Sequence, residues 1–127
     1  MRLRVRLWLV IAALNGALAV AFGAFAAHGL SQRLDSHALG IFETGARYHM
    51  YHALAMGLAA LAMQTKAART ATWSAAFFLA GIVLFSGSLY ALAVTGERMF
   101  AFVTPIGGVS FLAGWVLLAL AAWRSKA

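Results

Sequence analysis

Cysteine does not occur in this 127-residue chain, which excludes disulfides, thiolate metal sites and a cysteine nucleophile. The same absence leaves the redox compartment unassigned. Charge is scarce too: 10% of residues are Asp, Glu, Lys or Arg, and the acids number 3. A soluble domain is roughly a quarter charged and about half apolar, because a closed core still needs a wet surface. Here 64% of residues are hydrophobic and the mean hydropathy is +0.86. Disorder, collagen and coiled coil are excluded by the same composition. Such a chain is solvated mainly by lipid, and its length allows one domain with about four crossings of ~20 residues each.

What charge there is leans one way. The 10 Lys+Arg against 3 Asp+Glu give +7 and a pI near 11.3. In a soluble protein that balance would suggest nucleic acid, but here the basic residues stand singly or in short clusters at the ends of apolar runs. That is how topology signals look. No segment carries the continuous basic face that a nucleic acid needs, so the expected partners are membrane lipids and not nucleic acid.

Four apolar runs organise the chain: residues 7–27, 48–63, 71–94 and 100–123. At ~1.5 Å per residue the first, third and fourth cover a hydrocarbon core of ~30 Å unaided. The second is short and borrows from its N-terminal flank, so the expected spans are 7–27, 46–64, 71–94 and 102–123. Arg2, Arg4, Arg6, Lys66, Arg69, Arg124 and Lys126 then fall on one side with no carboxylate among them. Arg33, Arg47 and Arg98 face the other side beside Asp35, Glu43 and Glu97. This positive-inside bias places both termini in the cytoplasm. A competing reading takes Ala24-Phe25-Ala26 as a secretory cleavage site, but the apolar stretch exceeds the usual ~7–15 residues of a signal core.

Between the first two spans, Leu34, Ala38, Ile41 and Phe42 recur on one helical face. Ser31 or Asp35 could cap this segment, and Gly40 or Thr44-Gly45 could end it. The expectation is an all-α membrane protein, a four-transmembrane-helix bundle with a short interfacial amphipathic helix between helices 1 and 2. The alternative is a plain extension of helix 2. At the last span, Thr104-Pro105 predicts a helix start, since proline lacks the donor that the first helical position leaves unused.

Lipid offers no hydrophobic drive to helix association, so small residues matter. The candidate packing positions are Gly16, Gly23, Ala53, Gly57, Gly107, Gly108 and Gly114, with Ala46, Ala53, Gly57 and Ala60 on one stripe of helix 2. The candidate chemistry is a polar cluster near the outer interface: His28, Glu43, Arg47, Tyr48, His49, Tyr51 and His52. His49 and His52 are three apart, about 60° around a helix, and could share a ligand or a water. Glu43 and Arg47 are spaced for an ion pair but point well over 100° away from the histidines, so they form a separate feature. A metal site on His28, His49 and His52 is the sharp reading. The bland one has interfacial residues bonding to backbone, headgroups and each other, with tyrosines in the aromatic belt. Asn15, Ser86 and Ser88 read first as interhelical hydrogen bonds.

Several segments carry a resemblance: Gly23-Ala24-Phe25-Ala26-Ala27-His28-Gly29-Leu30, then the run from Phe42 through Arg47-Tyr48-His49-Met50-Tyr51-His52 to Ala55. Ser86-Gly87-Ser88-Leu89-Tyr90, Thr95-Gly96, Thr104-Pro105-Ile106-Gly107-Gly108 and Gly114-Trp115 continue it. Together they resemble the domain of unknown function 423 group, YgdD/YwdK-like small bacterial inner-membrane proteins with a eukaryotic small transmembrane relative. Where that pattern suggests a glycine-rich end to helix 1, this chain has Ala26. The resemblance implies a four-helix, multi-pass inner-membrane protein. It implies no activity, cofactor or catalytic residue.

Three functions follow from the residues. The first is a non-enzymatic membrane protein whose outer polar cluster binds a lipid headgroup or a protein partner. The second is a small oligomeric transporter or channel, although the acids Asp35, Glu43 and Glu97 all lie in or near loops. The third is a membrane enzyme or metal-binding protein using the histidines, which ranks last because no nucleophile–base–orienter set is visible.

Overall fold

The long uncharged run at the N-terminus forms helix α1, Leu3–His28. The computed structural model describes residues 1–125, and every regular element among them is helical. The buried residues of α1 are Val5, Ala12, Ala19 and Ala26, one at every seventh position. That spacing keeps one narrow seam on a neighbour, as in a coiled coil, and alanine on the seam lets the neighbouring backbone come close. Leu3, Leu7, Val10, Leu14 and Leu18 lie exposed on the rest of α1, a surface that lipid solvates.

A single 3₁₀ turn, Leu30–Gln32, follows, and α2 then runs unbroken from Ser36 to Ala62. Asp35 caps it by accepting from the Ala38 N–H at 2.8 Å, while the Ser31 hydroxyl bonds back to the Ala27 carbonyl. The expected separate interfacial helix therefore does not form. Its apolar face does not need the membrane interface, because protein covers it. Leu34, Leu39, Ile41 and Phe42 pack with Phe22, Ala26, Leu30, Tyr90 and Ala93. Gly45 does not end the helix either, since it lies under the Tyr90 ring, where a Cβ would sit 3.0 Å from the ring edge.

The third rod, Ala68–Thr95, is α3 (Ala68–Gly81), a π segment (Ile82–Ser86) and α4 (Gly87–Thr95). It ends at Gly96, whose φ of +71° is the left-handed conformation that glycine adopts without strain. Helix α5 follows, Met99–Arg124. Thr104-Pro105 is thus inside a helix and not at its start. Pro105 stands in the second turn on the exposed side, where the Ala101 carbonyl loses its helical donor. The Thr104 hydroxyl bonds to the Phe100 carbonyl and to Ser88.

Three rods are long and apolar enough to cross a membrane: Leu3–Gln32, Ala68–Thr95 and Met99–Arg124. Helix α2, with 27 residues, matches them in length but carries Glu43, Arg47, His49 and His52. It is also the helix that touches each of the others. Helix α1 packs on α2, α2 packs on α3 and α4, and α5 packs on α3, the π segment and α4. Arg4 reaches Thr72 at 3.5 Å, so the start of α1 stands beside the start of α3.

The contact between α3 and α5 is close and partly polar. The Ser74 hydroxyl donates to the Gly114 carbonyl and the Ser110 hydroxyl to the Phe77 carbonyl, each at 2.7 Å. Phe78 lies over Gly114, and Phe111 over Gly81. Gly107 meets the backbone of the π segment directly, where a Cβ would sit 2.7 Å from the Leu84 carbonyl carbon. Gly16 is 4.0 Å from the Met50 sulfur and Gly108 is 3.9 Å from the Phe85 ring, on the same Cβ test. Gly23 and Gly57 meet nothing within 4 Å, so close approach does not require glycine at those two positions. Ala53, between them in role, is buried on α2.

Candidate functional site

Midway along α2, His49 and His52 are both buried, and each is held by groups from other helices. The His49 Nε2 lies 2.9 Å from the Asn15 Oδ1, and the Nδ1 lies 2.9 Å from the Tyr90 hydroxyl. Asn15 spends its amide N–H on the Ile11 carbonyl, at 2.9 Å. Its oxygen must then accept, so His49 donates from Nε2 and receives the Tyr90 O–H at Nδ1. One neutral ring therefore ties α1, α2 and α4 together with every polar atom satisfied. Phe22 and Tyr90 lie tilted against it, with ring centroids 6.3 and 5.9 Å away.

His52 takes the opposite tautomer. Its Nδ1–H donates to the Tyr48 carbonyl one turn back, at 2.7 Å, and its Nε2 accepts the Trp115 indole N–H at 3.1 Å. A carbonyl can only accept and an indole can only donate, which fixes both roles. The ring stacks on Phe111, with centroids 3.4 Å apart and planes within 4°. The two histidines therefore do not share a ligand. Their 60° of separation on α2 is enough to send one to the α1/α4 side and the other to α5.

His28 does not join them. It is exposed at the end of α1, 13 residues beyond Asn15 and so about 20 Å along the helix from the level of His49. Among the described residues no three His, Asp or Glu side chains are grouped as metal ligands. Ser88 makes its expected interhelical bond, to Thr104 at 2.5 Å. Ser86 does not: its hydroxyl is buried without a partner.

The rest of the predicted cluster lines the exposed side of α2. Glu43, Arg47, Tyr48 and Tyr51 are all exposed. The hydrogen bonds of this stretch belong to Thr44, His49 and His52, leaving Glu43 and Arg47 with no ion-pair partner among the described residues. Next to this edge, a groove of about 580 Å³ opens between α2 and α5, lined chiefly by Tyr48, Tyr51, His52, Phe111, Leu112 and Trp115. Sequence reasoning placed the histidines but missed Tyr90 and Trp115 as their partners. The available signal was an aromatic residue with a polar tip standing inside an apolar run, where that tip needs a partner.

Residues 22–108 of the chain match the model of a family described as a protein of unknown function (DUF423). The chain is 48% identical to the UPF0382 inner membrane protein YgdD of Escherichia coli (strain K12), over 95% of this chain and 92% of that protein. It is 45% identical to a UPF0382 membrane protein of Haemophilus influenzae, over 94% of this chain and 95% of the other. To the UPF0382 membrane protein YwdK of Bacillus subtilis (strain 168) it is 42% identical, over 92% and 96%. No solved structure matches the chain.

Proposed function

Because the chain belongs to the DUF423 family of membrane proteins, we propose that it is a four-crossing protein of the bacterial inner membrane that acts by binding a protein partner, not by catalysis. Helix α2 is the fourth crossing. Its polar interior is affordable because His49 and His52 find their partners within the protein, as any polar group in hydrocarbon must. Both termini face the cytoplasm: Arg2, Arg4, Arg6, Lys66, Arg69 and Arg124 gather at one end of the rods, and Lys126 lies outside the described residues.

The observation that carries the binding reading is a contrast within α2. The buried histidines use all of their ring nitrogens on partners within the protein, so they offer nothing to a substrate. Glu43 and Arg47, by contrast, stand exposed and uncommitted, and charged groups within a span mark function. A lipid headgroup is the second occupant of this edge, although Glu43 beside Arg47 opposes a phosphate. A small oligomeric transporter draws instead on the buried Asn15–His49–Tyr90 chain, and would show itself as pH-gradient-linked flux in vesicles. The test is mild extraction from native membranes: a defined protein, a differently tagged second copy of the chain included, should co-purify with the chain and be lost in Arg47→Ala. Retention of the same companion by that variant, or purification with lipid alone, would overturn the reading.

A further inference from the structure

The contacts of α2 set the depth of its two uncommitted charges. Asn15 of α1 is opposite His49, and Phe22 of α1 is opposite Phe42, with ring centroids 6.2 Å apart. Glu43 and Arg47 therefore lie level with the part of α1 between Asn15 and Phe22, well inside its uncharged run of residues 7–27. They are exposed at that level. An arginine on the lipid side of a span is costly, and such residues are found paired or facing a bundle interior.

The same side of α2 continues down the helix as a ridge. Tyr51, Leu54, Leu58 and Leu61 are 49%, 64%, 54% and 51% exposed, at spacings of three, four and three. That is the seam of a helix that packs on another helix along its length, and Arg47 extends it upward by one further step of four. A lipid headgroup would meet only the charged part of this face. Nothing about a headgroup would call for the leucines two and three turns deeper, and its phosphate would be repelled by Glu43.

We propose that this face is the contact between two copies of the chain, related by a twofold axis along the membrane normal. The proposal rests on the reading of the α2 edge as a binding surface and names its partner. A twofold sets α2 parallel to its copy, so residues of equal depth meet. Helical side chains lean toward the N-terminus, which brings the Arg47 guanidinium up to the level of Glu43 on the facing helix. Each acid thus meets the base of the other copy, and the two-charge set is complementary to itself. Tyr51, Leu54 and Leu58 of the ridge form one wall of the groove that His52, Leu112 and Trp115 also line, so the same rotation brings each ridge against the rim of the other copy's groove.

The absence of cysteine makes the test clean. In the full chain in native membranes, Tyr51→Cys and Leu58→Cys should each form a disulfide-linked dimer on mild oxidation. Val83→Cys, 63% exposed on the third rod, should remain monomeric. Arg47→Glu and Glu43→Arg, each introduced beside Leu58→Cys, should lose the dimer when expressed alone. Co-expressed with different tags, these two variants should cross-link to each other, since one then presents two acids and the other two bases. Rescue of that mixed pair supports the self-contact, whereas a lipid-headgroup site would show no rescue. Cross-linking of Tyr51→Cys and Leu58→Cys to a different protein would overturn the twofold contact while leaving the α2 edge as a binding surface. Monomers throughout, with no cross-linked product of any kind, would overturn both.

Discussion

At Gly107 the energetics are steric, and at Trp115 they are polar, which makes the two residues useful to compare. A Cβ on Gly107 would sit 2.7 Å from both the Leu84 carbonyl carbon and the Phe85 Cα. These are backbone atoms of the π segment and cannot swing aside. Overpacking of this kind costs about 1–3 kcal/mol, occasionally more. Trp115→Phe keeps an aromatic ring on this partly exposed side chain but removes part of the indole together with the donor to His52 Nε2, and hydrogen bonds between membrane helices average about 0.6 kcal/mol, with a maximum near 1.7. Gly107→Ala is therefore expected to lower the midpoint of unfolding in detergent micelles more than Trp115→Phe. An equal or reversed order would mean that the α5 backbone can retreat from the π segment.

Helices in this chain end or continue according to what covers them. Gly40 and Gly45 carry glycine's usual preference for breaks, yet α2 passes through both, because its apolar face is buried against α1 and α4 and packing outweighs local propensity. Gly96 is different: its φ of +71° closes α4 in a conformation that a Cβ disfavours. Gly96→Ala should cost about 1–2 kcal/mol, the strain of one residue held left-handed, in the same unfolding measurement. Gly23→Ala, where nothing lies within 4 Å, should instead be neutral or stabilising by about 0.5–1 kcal/mol, because alanine is the better helix former. A loss at Gly23 as large as at Gly96 would show that helix ends are not where glycine matters here.

Across the whole molecule, the arrangement is an oily outer surface around a few closed polar knots. Both the lipid-facing leucines of α1 and the charges at the rod ends were legible in the sequence, since composition and charge placement act locally. They predict that a fluorescent reporter fused at the C-terminus will fold in the cytoplasm, while an alkaline phosphatase fused there will be inactive. The opposite pair of results would reverse the assignment of Glu43 and Arg47 to the outer half. Less of the candidate site was legible. The cluster of His49, His52, Tyr48, Tyr51, Glu43 and Arg47 could be picked out, but it divides into an inner set and an exposed edge only because α2 is flanked by other helices on several sides. His28 was grouped with it by residue type and by an expected place near the same interface, and the length of α1 keeps it away.

By itself the sequence determined the lipid solvent and the helical class, because each is a sum over neighbouring residues: hydropathy over a run and period along a helix. Only the tertiary structure decided what each polar group meets. His49 finds Asn15 and Tyr90 at separations of 34 and 41 residues, and His52 finds Trp115 at 63. No local pattern encodes partners that distant. They are set by which helix faces close on one another, and that choice turns on glycines and serines whose spacing alone does not reveal it.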